Sequence, residues 1–543
     1  MLKNKFFRVV KQNIYLFIIL ITGFVLYFKS INFGYTYHDD TILILNNLSF
    51  LSTFLNIITS FKISVFEYLR SPDNFYRPIF LISLILDTKL STFYPNIYHF
   101  TNIIIHLLNS LFLLVFLKKI KVKKDTSFLL TLIFTIHPLF VQAVSWIPGR
   151  NDSLLFLFVL LYFVSFLNFI EKNKKRYFLQ LLFWYFLAIF TKETAIVLLL
   201  LTILYKIIFL DKKNNLKIIF ITVGNFIITF CWYLLRQRAI KFPVEYPFLK
   251  TMTIFVKNIS GVLIYIGKFF IPTNLSTMTV IKNYPIYYGL IAIFVVLLLF
   301  LFSKKKEYGK MVFGLVFFGL FFLPTIYGSN PNNTFIFLEH RAYVPSMGIL
   351  ITLSEIDFIK NYSLKNKIHV FMSLILVVIL LLLNFYHQEN FRNRMSFWTN
   401  AVKTATSNAT SHWGLGMAYY SANNLVDAER EYKEAVILNP NQQYIYNNLG
   451  VIYLDQGKLE EAKKMFEQEL LLGKYSDVLY NYGLVMQRLG YRSVAKEYWL
   501  KTLDLNTDYI KALKSLYFLN KESFNIMEAE HYKKELIDRN IEF

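Results

Sequence analysis

Cysteine is almost absent from this 543-residue chain: Cys231 is the only one, set inside an apolar segment. That excludes an intrachain disulfide and a cysteine-rich metal site. Acidic residues are also few, 35 Asp and Glu against 58 Lys and Arg, for a net charge of +23. In a soluble chain such an excess would raise the question of nucleic acid. Here the lysines stand in short runs between apolar spans, the pattern that sets membrane topology rather than the pattern of a nucleic-acid groove. A small-residue cleavage site is missing too. The basic start Met1-Leu-Lys-Asn-Lys-Phe-Phe-Arg-Val-Val-Lys runs straight into a long apolar segment and reads as a retained signal-anchor.

Apolar residues are what the chain has in excess. They make up 55% of it, with a mean hydropathy of +0.42. No single soluble core absorbs that much apolar surface, so the sequence specifies a membrane protein. Spans of membrane length are expected near 14–30, 97–117, 127–145, 152–170, 177–191, 194–210, 216–236, 286–302, 311–327, 342–357 and 368–386. The stretches 49–69, 77–90 and 253–271 are shorter or interrupted by polar residues, and are assigned to amphipathic helices on the membrane surface. The basic runs Lys3–Lys11, Lys118–Lys124, Lys172–Arg176, Lys212–Lys217, Lys304–Lys310 and Lys360–Lys367 all fall on one side with eleven spans. Adding 77–90 or 253–271 as a span puts later runs on the other side. The N-terminus is then cytoplasmic, and the loops 31–96, 237–285 and 328–341, with everything past Tyr386, are extracytoplasmic.

The tail is a different material, polar and helically periodic, and it repeats. Leu415-Gly416-x-x-Tyr419 recurs as Leu449-Gly450-x-x-Tyr453. Ala428 recurs at Ala462 and Ala495, and Tyr432 at Phe466 and Trp499. Small residues that let paired helices approach, with aromatics filling the gap, are the pattern of tetratricopeptide repeats. The fold class is therefore all-α: a polytopic transmembrane bundle over 1–390 (31–96 being a first loop with surface helices), a linker at 391–408, and an α-solenoid over 409–543. The units are 409–442, 443–475, 476–509 and a degenerate 510–543.

Chemistry-bearing residues gather where this topology puts the outer face. Asp39 and Asp40 follow the first span, and paired acids at a membrane boundary call for water, cations or a reaction. Arg77-Pro78 lies in the first loop. His99, Asn102 and His106 share one helix face at the start of the second span. His137-Pro138 ends the third. Arg150 and Asp152, then Lys192-Glu193, stand at later turns, and Glu339-His340-Arg341-Ala-Tyr343 enters the tenth span. A charge-lined outer cavity would use Arg and Lys to bind a phosphate and an Asp as base. Taken singly, each site has a plain structural alternative, such as a snorkelling Lys-Glu pair or a histidine bonded to backbone carbonyls near proline. A divalent metal has only the weak His99/His106 spacing behind it, and no cofactor is called for.

This ordered set resembles the polytopic protein O-mannosyltransferases with tetratricopeptide repeats, and their bacterial relatives, of the GT-C glycosyltransferase class. The matching residues are Asp39-Asp40, Arg77-Pro78, His99-x-x-Asn102-x-x-x-His106, His137-Pro138-Leu139, Gly149-Arg150-x-Asp152, Lys192-Glu193 and Arg341-x-Tyr343-x-Pro345-Ser346. One departure is Gln142, where the family commonly has Glu. The few repeats and short loops point to a bacterial relative. The resemblance implies a sugar, mannose-like, moved from a polyprenyl-phosphate carrier to a hydroxyl on a protein or glycan. In that reading Asp39 is the base and Asp40 its support. Lys192, Arg341, Arg150 and Arg77 would meet the donor phosphate, and His99, Asn102, His106, His137, Asp152, Glu193 and Tyr343 would support them. The repeats would position the acceptor or a protein partner. Two other functions compete: a non-catalytic membrane anchor for a tetratricopeptide scaffold in envelope assembly, and a lipid or solute transporter. The first leaves the outer-face charges unexplained. The second would place polar groups at the bilayer midplane in inverted halves, and no such symmetry is visible.

Overall fold

The computed structural model describes residues 13–67, 74–91, 93–241, 243, 248–280, 284–304, 307–327, 336–539 and 541. The basic start Lys3–Lys11 and most of the loop 328–341 lie outside them. The chain divides into two units, Met1–Ala405 and Thr406–Phe543.

The first unit is a helical bundle, as a lipid-embedded backbone demands, since a helix pairs all its own amides. Among the described residues seven helices are long and apolar enough to cross a membrane: Ile14–Asn32, Pro95–Lys119, Ile147–Lys172, Lys212–Ala239, Met252–Phe270, Tyr308–Ile326 and Lys367–Phe391. An eighth forms if the bent pair Lys124–Ile136 and Pro138–Ser145 counts as one span. Pro138 bends that pair by 50° because it cannot donate to the helix and its ring crowds the preceding turn.

The count differs from the eleven expected for a local reason. Lys192 adopts an extended backbone between the two spans expected at 177–191 and 194–210, and the helices there, Lys175–Thr191 and Leu198–Phe209, have only 17 and 12 residues. Tyr287–Phe302 has 16 residues. The expected span 342–357 keeps only Ser346–Leu353 as α-helix; beyond it Glu355, buried, holds Lys310 and Lys360.

The stretches assigned to the membrane surface are not surface helices. The segment 253–271 forms part of Met252–Phe270, and Gly289 lets the neighbouring helix approach so closely that any Cβ there would collide with the Leu263 carbonyl. Pro78–Ser91 buries Phe80, Leu81, Leu84 and Ile85 in one apolar cluster with Tyr35, Leu43, Leu51 and Tyr98. The stretch 49–69 breaks into short turns, Leu48–Leu51 and Asn56–Thr59. Among the described residues one small departure from all-helical structure occurs: Thr279–Val280 pairs antiparallel with Ile336–Phe337.

The stretch 391–408 is no linker. Its helix Arg394–Thr404 opens with a reciprocal cap between Asn393 and Ser396 and buries Phe397 and Trp398 completely. Those two rings anchor it to the bundle, where polar linker composition would have left it free.

The second unit is four helix pairs, beginning with Ala409–Ser421 and Leu425–Leu438 and ending with Ile510–Glu522 and Ile526–Asp538. The repeat positions read from the sequence form its core: Ala428, Ala462 and Ala495 are fully buried beside Tyr432, Phe466 and Trp499. In the fourth pair Ala529 and Tyr532 take those places. Gly416, Gly450 and Gly483 each face the aromatic of their own pair, Tyr432, Phe466 and Trp499. A Cβ on Gly450 would lie 2.7 Å from the Phe466 ring. Gly450→Val is therefore expected to destabilise this unit by about 1–3 kcal/mol through overpacking. Thermal unfolding of the full chain, followed by helix signal, would show a lowered transition; an unchanged one would mean that the ring can move aside.

Candidate active site

The Asp pair is divided by its own helix. Tyr37, at φ 56°, turns the chain, and the short helix Asp39–Leu43 begins two residues later. Consecutive helical side chains point about 100° apart, so the two carboxylates face different surroundings. Asp40 points inward and is 1% exposed. Its Oδ2 accepts from the Thr36 amide at 2.5 Å and the Thr36 hydroxyl at 2.6 Å. Trp146 Nε1 donates in turn to Thr36 Oγ1 at 3.0 Å. Asp39 points outward, its side chain about one third exposed, with His38 Nδ1 at 2.9 Å.

The same surroundings set their ionisation. Burial pushes the Asp40 carboxyl up to about 6, against the Thr36 hydrogen bonds. For Asp39 burial also acts upward, but His38 beside it, with His340 and Arg341 further off, holds the carboxyl below the usual range. Asp40 thus binds a proton more tightly folded than unfolded. Its contribution to stability is fully present below its unfolded value near 4 and is lost as pH rises through about 6. Asp40→Asn is expected to remove that loss. Melting of the two proteins across pH 4 to 7 checks it: wild type should decline over that interval relative to the variant, and parallel curves would refute the assignment.

The four expected phosphate-binding cations are not equivalent. Lys192 Nζ donates to both oxygens of Asp152, at 2.8 and 2.7 Å, and is largely buried. Arg77 forms a two-pronged pair with Glu193 (3.0 and 2.5 Å) and lies over the Phe75 ring. Arg150 is fully enclosed. It contacts Asp87 at 2.5 Å, Asn102 Oδ1 at 2.6 Å and the Tyr98 carbonyl at 2.7 Å. A guanidinium committed in this way cannot reach a donor phosphate, so Arg150 leaves that list. Arg341 is half-buried, and its charge acts on Asp39 and His340.

His340 joins the two sides. Its Nε2 lies 3.7 Å from Asp152, the partner of Lys192. Gln142 Oε1 faces both its amide (3.0 Å) and Nδ1 (3.1 Å). Burial, with Lys192 and Arg341 nearby, holds this imidazole well below its usual range, hence neutral. The Gln142 amide end donates to the Thr277 carbonyl at 2.9 Å. A neutral Gln is well suited here, because it accepts from His340 and donates to the backbone at once.

The histidine–asparagine face is structural. His106 Nε2 faces the Thr135 carbonyl, which can only accept, so Nδ1 is the acceptor for the Tyr343 hydroxyl at 2.6 Å. His137 is fixed in the same way, accepting from Leu139 N and donating to the Phe269 carbonyl. Asn102 bonds the Val144 and Trp146 carbonyls, and His99 is buried with its ring edge to Phe33. These residues tie helices together inside the bundle rather than lining the Asp39 side. Among the described residues no group of three or more His, Cys, Asp or Glu is placed to hold a metal ion.

Two residues of this neighbourhood, Asp87 and Lys268, belong to none of the motifs, and the part played by Glu339 is not visible in its own. Asp87, an acid in an apolar helix, neutralises Arg150; its isolation in that run was the available signal. Glu339 is fully buried and accepts from Lys268 at 2.6 Å and from the Ser276 amide at 2.7 Å, with His387 Nε2 at 2.9 Å. Lys268, read as the polar side of a surface helix, is instead 1% exposed in that ion pair. The network ties three separate stretches to the turn that presents His340 and Arg341.

Comparison with known proteins finds likeness over part of the chain. Residues 86–235 match the family described as dolichyl-phosphate-mannose-protein mannosyltransferase, and residues 431–464 match a tetratricopeptide repeat. The first match includes Arg150, Asp152, Lys192 and Glu193 but not Asp39, Asp40, Arg77 or Arg341. Protein O-mannosyl-transferase TMTC1 of Homo sapiens is 30% identical over 151 residues, 26% of this chain and 17% of that protein. Protein O-mannosyl-transferase TMTC4 of Homo sapiens is 28% identical over 165 residues, 26% of this chain and 22% of that protein. The matched stretches thus span about a fifth of these relatives. Among solved structures, MamA is 22% identical, covering 27% of this chain and 86% of that one, at a TM-score of 0.26. This multi-pass membrane protein is therefore similar over residues 86–235 to the dolichyl-phosphate-mannose-protein mannosyltransferase family and over residues 431–464 to tetratricopeptide repeats, and over about a quarter of its length to the protein O-mannosyl-transferases.

Proposed function

We propose that this protein is a membrane glycosyltransferase that moves a mannose-like sugar from a polyprenyl phosphate to a hydroxyl of a protein or glycan at the extracytoplasmic face. One observation carries the reading: an outward-facing, ionised Asp39 stands where the charge of Arg341 reaches it, beside the neutral His340 that contacts the Asp152 holding Lys192. A base and a cationic anion-binding group therefore meet in one place, as glycosyl transfer from a phosphate requires.

In this mechanism Asp39 accepts the proton of the acceptor hydroxyl as its oxygen bonds to the anomeric carbon. The bond from that carbon to the phosphate oxygen breaks on the opposite side. Its electrons leave with the polyprenyl phosphate, whose second pKa near 6 makes a strong general acid unnecessary. A single displacement with one base inverts the anomeric centre, by the logic of inverting glycosidases. Arg341, with the remaining Lys192 proton, stabilises the charge that develops on the leaving phosphate. Arg77 and Glu193 hold the neighbouring turn. An apolar cavity of about 680 Å³ in the bundle, lined by Leu129, Ile133, Phe270, Val295 and Ile379 among others, has the character an isoprenoid chain needs. The repeats hold the acceptor or a protein partner near the site.

The test is transfer by the purified protein, in liposomes, from polyprenyl-phosphate-linked mannose to a panel of Ser/Thr peptides and glycans. Glycan mass spectrometry of a deletion strain runs in parallel. A mannosylated product absent from the deletion is expected. No transfer in vitro and unchanged glycans in the cell would sink the proposal.

A further inference from the structure

His38 precedes the Asp pair, and no role has been attached to it. Its ring is enclosed by three others from remote parts of the chain: Trp146 at 5.9 Å between centroids, Phe397 at 6.0 Å and Trp398 at 5.4 Å. All three are at most 1% exposed. An enclosed imidazole loses its hydration, which costs free energy unless a charged partner compensates. That partner is Asp39, at 2.9 Å.

The cage is itself fastened. Trp146 is oriented by its bond to Thr36, in the turn that also receives Asp40. Phe397 and Trp398 lie on the Arg394–Thr404 helix, which is pinned along its length. Asn400 Oδ1 accepts from the Thr277 amide at 2.9 Å, and the Phe397 carbonyl accepts from the Thr277 hydroxyl at 2.9 Å. The Gly34 amide donates to the Arg392 carbonyl at 2.8 Å, just before that helix.

We propose that His38, locked by Trp146, Phe397 and Trp398, is the positioning residue for the Asp39 carboxylate, so that the Arg394–Thr404 helix forms a wall of the active site and is not a tether to the repeats. This rests on the reading of Asp39 as base. The caged imidazole, whose affinity for a proton Asp39 raises, stands against one carboxylate oxygen, Oδ1, and leaves Oδ2 to take the acceptor proton. It also keeps Asp39 ionised at lower pH. Among the described residues, the ionisable groups acting on this pair are Asp40 on the same element and, from the turn before the Ser346–Leu353 helix, Arg341 and the neutral His340. The cage rings are uncharged. Arg394, on the cage helix, lies over the Tyr37 ring.

The experiment pairs a pH profile with a measurement independent of activity. In His38→Gln, which keeps a donor but removes the charge, the acidic limb of transfer should move up by about one pH unit with KM unchanged, since an opposite charge at this distance shifts a carboxyl by that order. Trp398→Leu, which opens the cage but leaves His38, should shift the limb the same way. An unmoved limb in both overturns the proposal. Separately, a double-mutant cycle of His38→Gln with Asp39→Asn, read by unfolding of the full-length protein, should be non-additive at pH 7. An additive cycle overturns the pairing whatever the transfer assay shows. A non-additive cycle in a protein that transfers no sugar keeps the pair and overturns Asp39 as base.

Discussion

Asp39→Asn is expected to lower sugar transfer by about 10²–10⁴-fold, the range general-base catalysis supplies, in a protein that still folds but loses the stability of the His38 pair. Asn is nearly isosteric with Asp, and the side chain is about one third exposed, so the surroundings tolerate the change. What it removes is the group that accepts the acceptor's proton. KM for the lipid-linked donor should barely move, because Asp39 acts on the acceptor. The neighbouring Asp40→Asn should retain most activity, since Asp40 faces Thr36 rather than the open side. The assay is initial-rate transfer from polyprenyl-phosphate mannose under saturating donor. A full-rate Asp39→Asn with an inactive Asp40→Asn would reverse the roles within the pair, and two full-rate variants would remove it from the chemistry.

The largest stability effect is expected at Arg150. Arg150→Met leaves Asp87 ionised and buried without its guanidinium, although the Thr101 hydroxyl still donates to Asp87 Oδ1 at 2.8 Å. Removing one member of a buried ion pair costs roughly 3–5 kcal/mol, because the charge left behind cannot be rehydrated. That is a large part of the ~5–15 kcal/mol by which a folded domain is stable. The variant should express poorly and melt well below wild type. The double change Arg150→Met with Asp87→Leu should recover much of the loss, because it removes both charges together. Unfolding in detergent, followed by tryptophan fluorescence, reads both. A stable Arg150→Met that has lost only donor affinity would return Arg150 to the phosphate-binding set.

Why Arg150 read as a ligand from its motif is instructive. Gly149-Arg150-x-Asp152 is a local pattern, and a pattern says that a residue type is needed but not what faces it. Its partner, Asp87, lies 63 residues earlier, and nothing in its spacing links the two. The same holds for Lys268, whose place in a polar-interrupted stretch suggested a surface helix. Glu339, more than 70 residues on, makes its burial tolerable. Charge count and spacing cannot reveal such neutralisation, because a salt bridge between remote segments leaves no periodicity.

The sequence by itself determined the class of the protein and the design of its second unit. A chain 55% apolar buries that surface in lipid, where only helices and closed barrels satisfy their own backbone, and long unbroken apolar runs select helices. The repeats were equally legible. A recurring Gly opposite a recurring aromatic is a local packing rule that each helix pair obeys on its own. Tertiary structure alone decided which polar residues are available for chemistry. It turned Asp39 outward and Asp40 inward, enclosed Arg150, caged His38, and made a wall of a stretch that reads as a linker. The physical reason is that a charged side chain's behaviour depends on its solvation and partners, and in a folded bundle both come from residues far away in the chain.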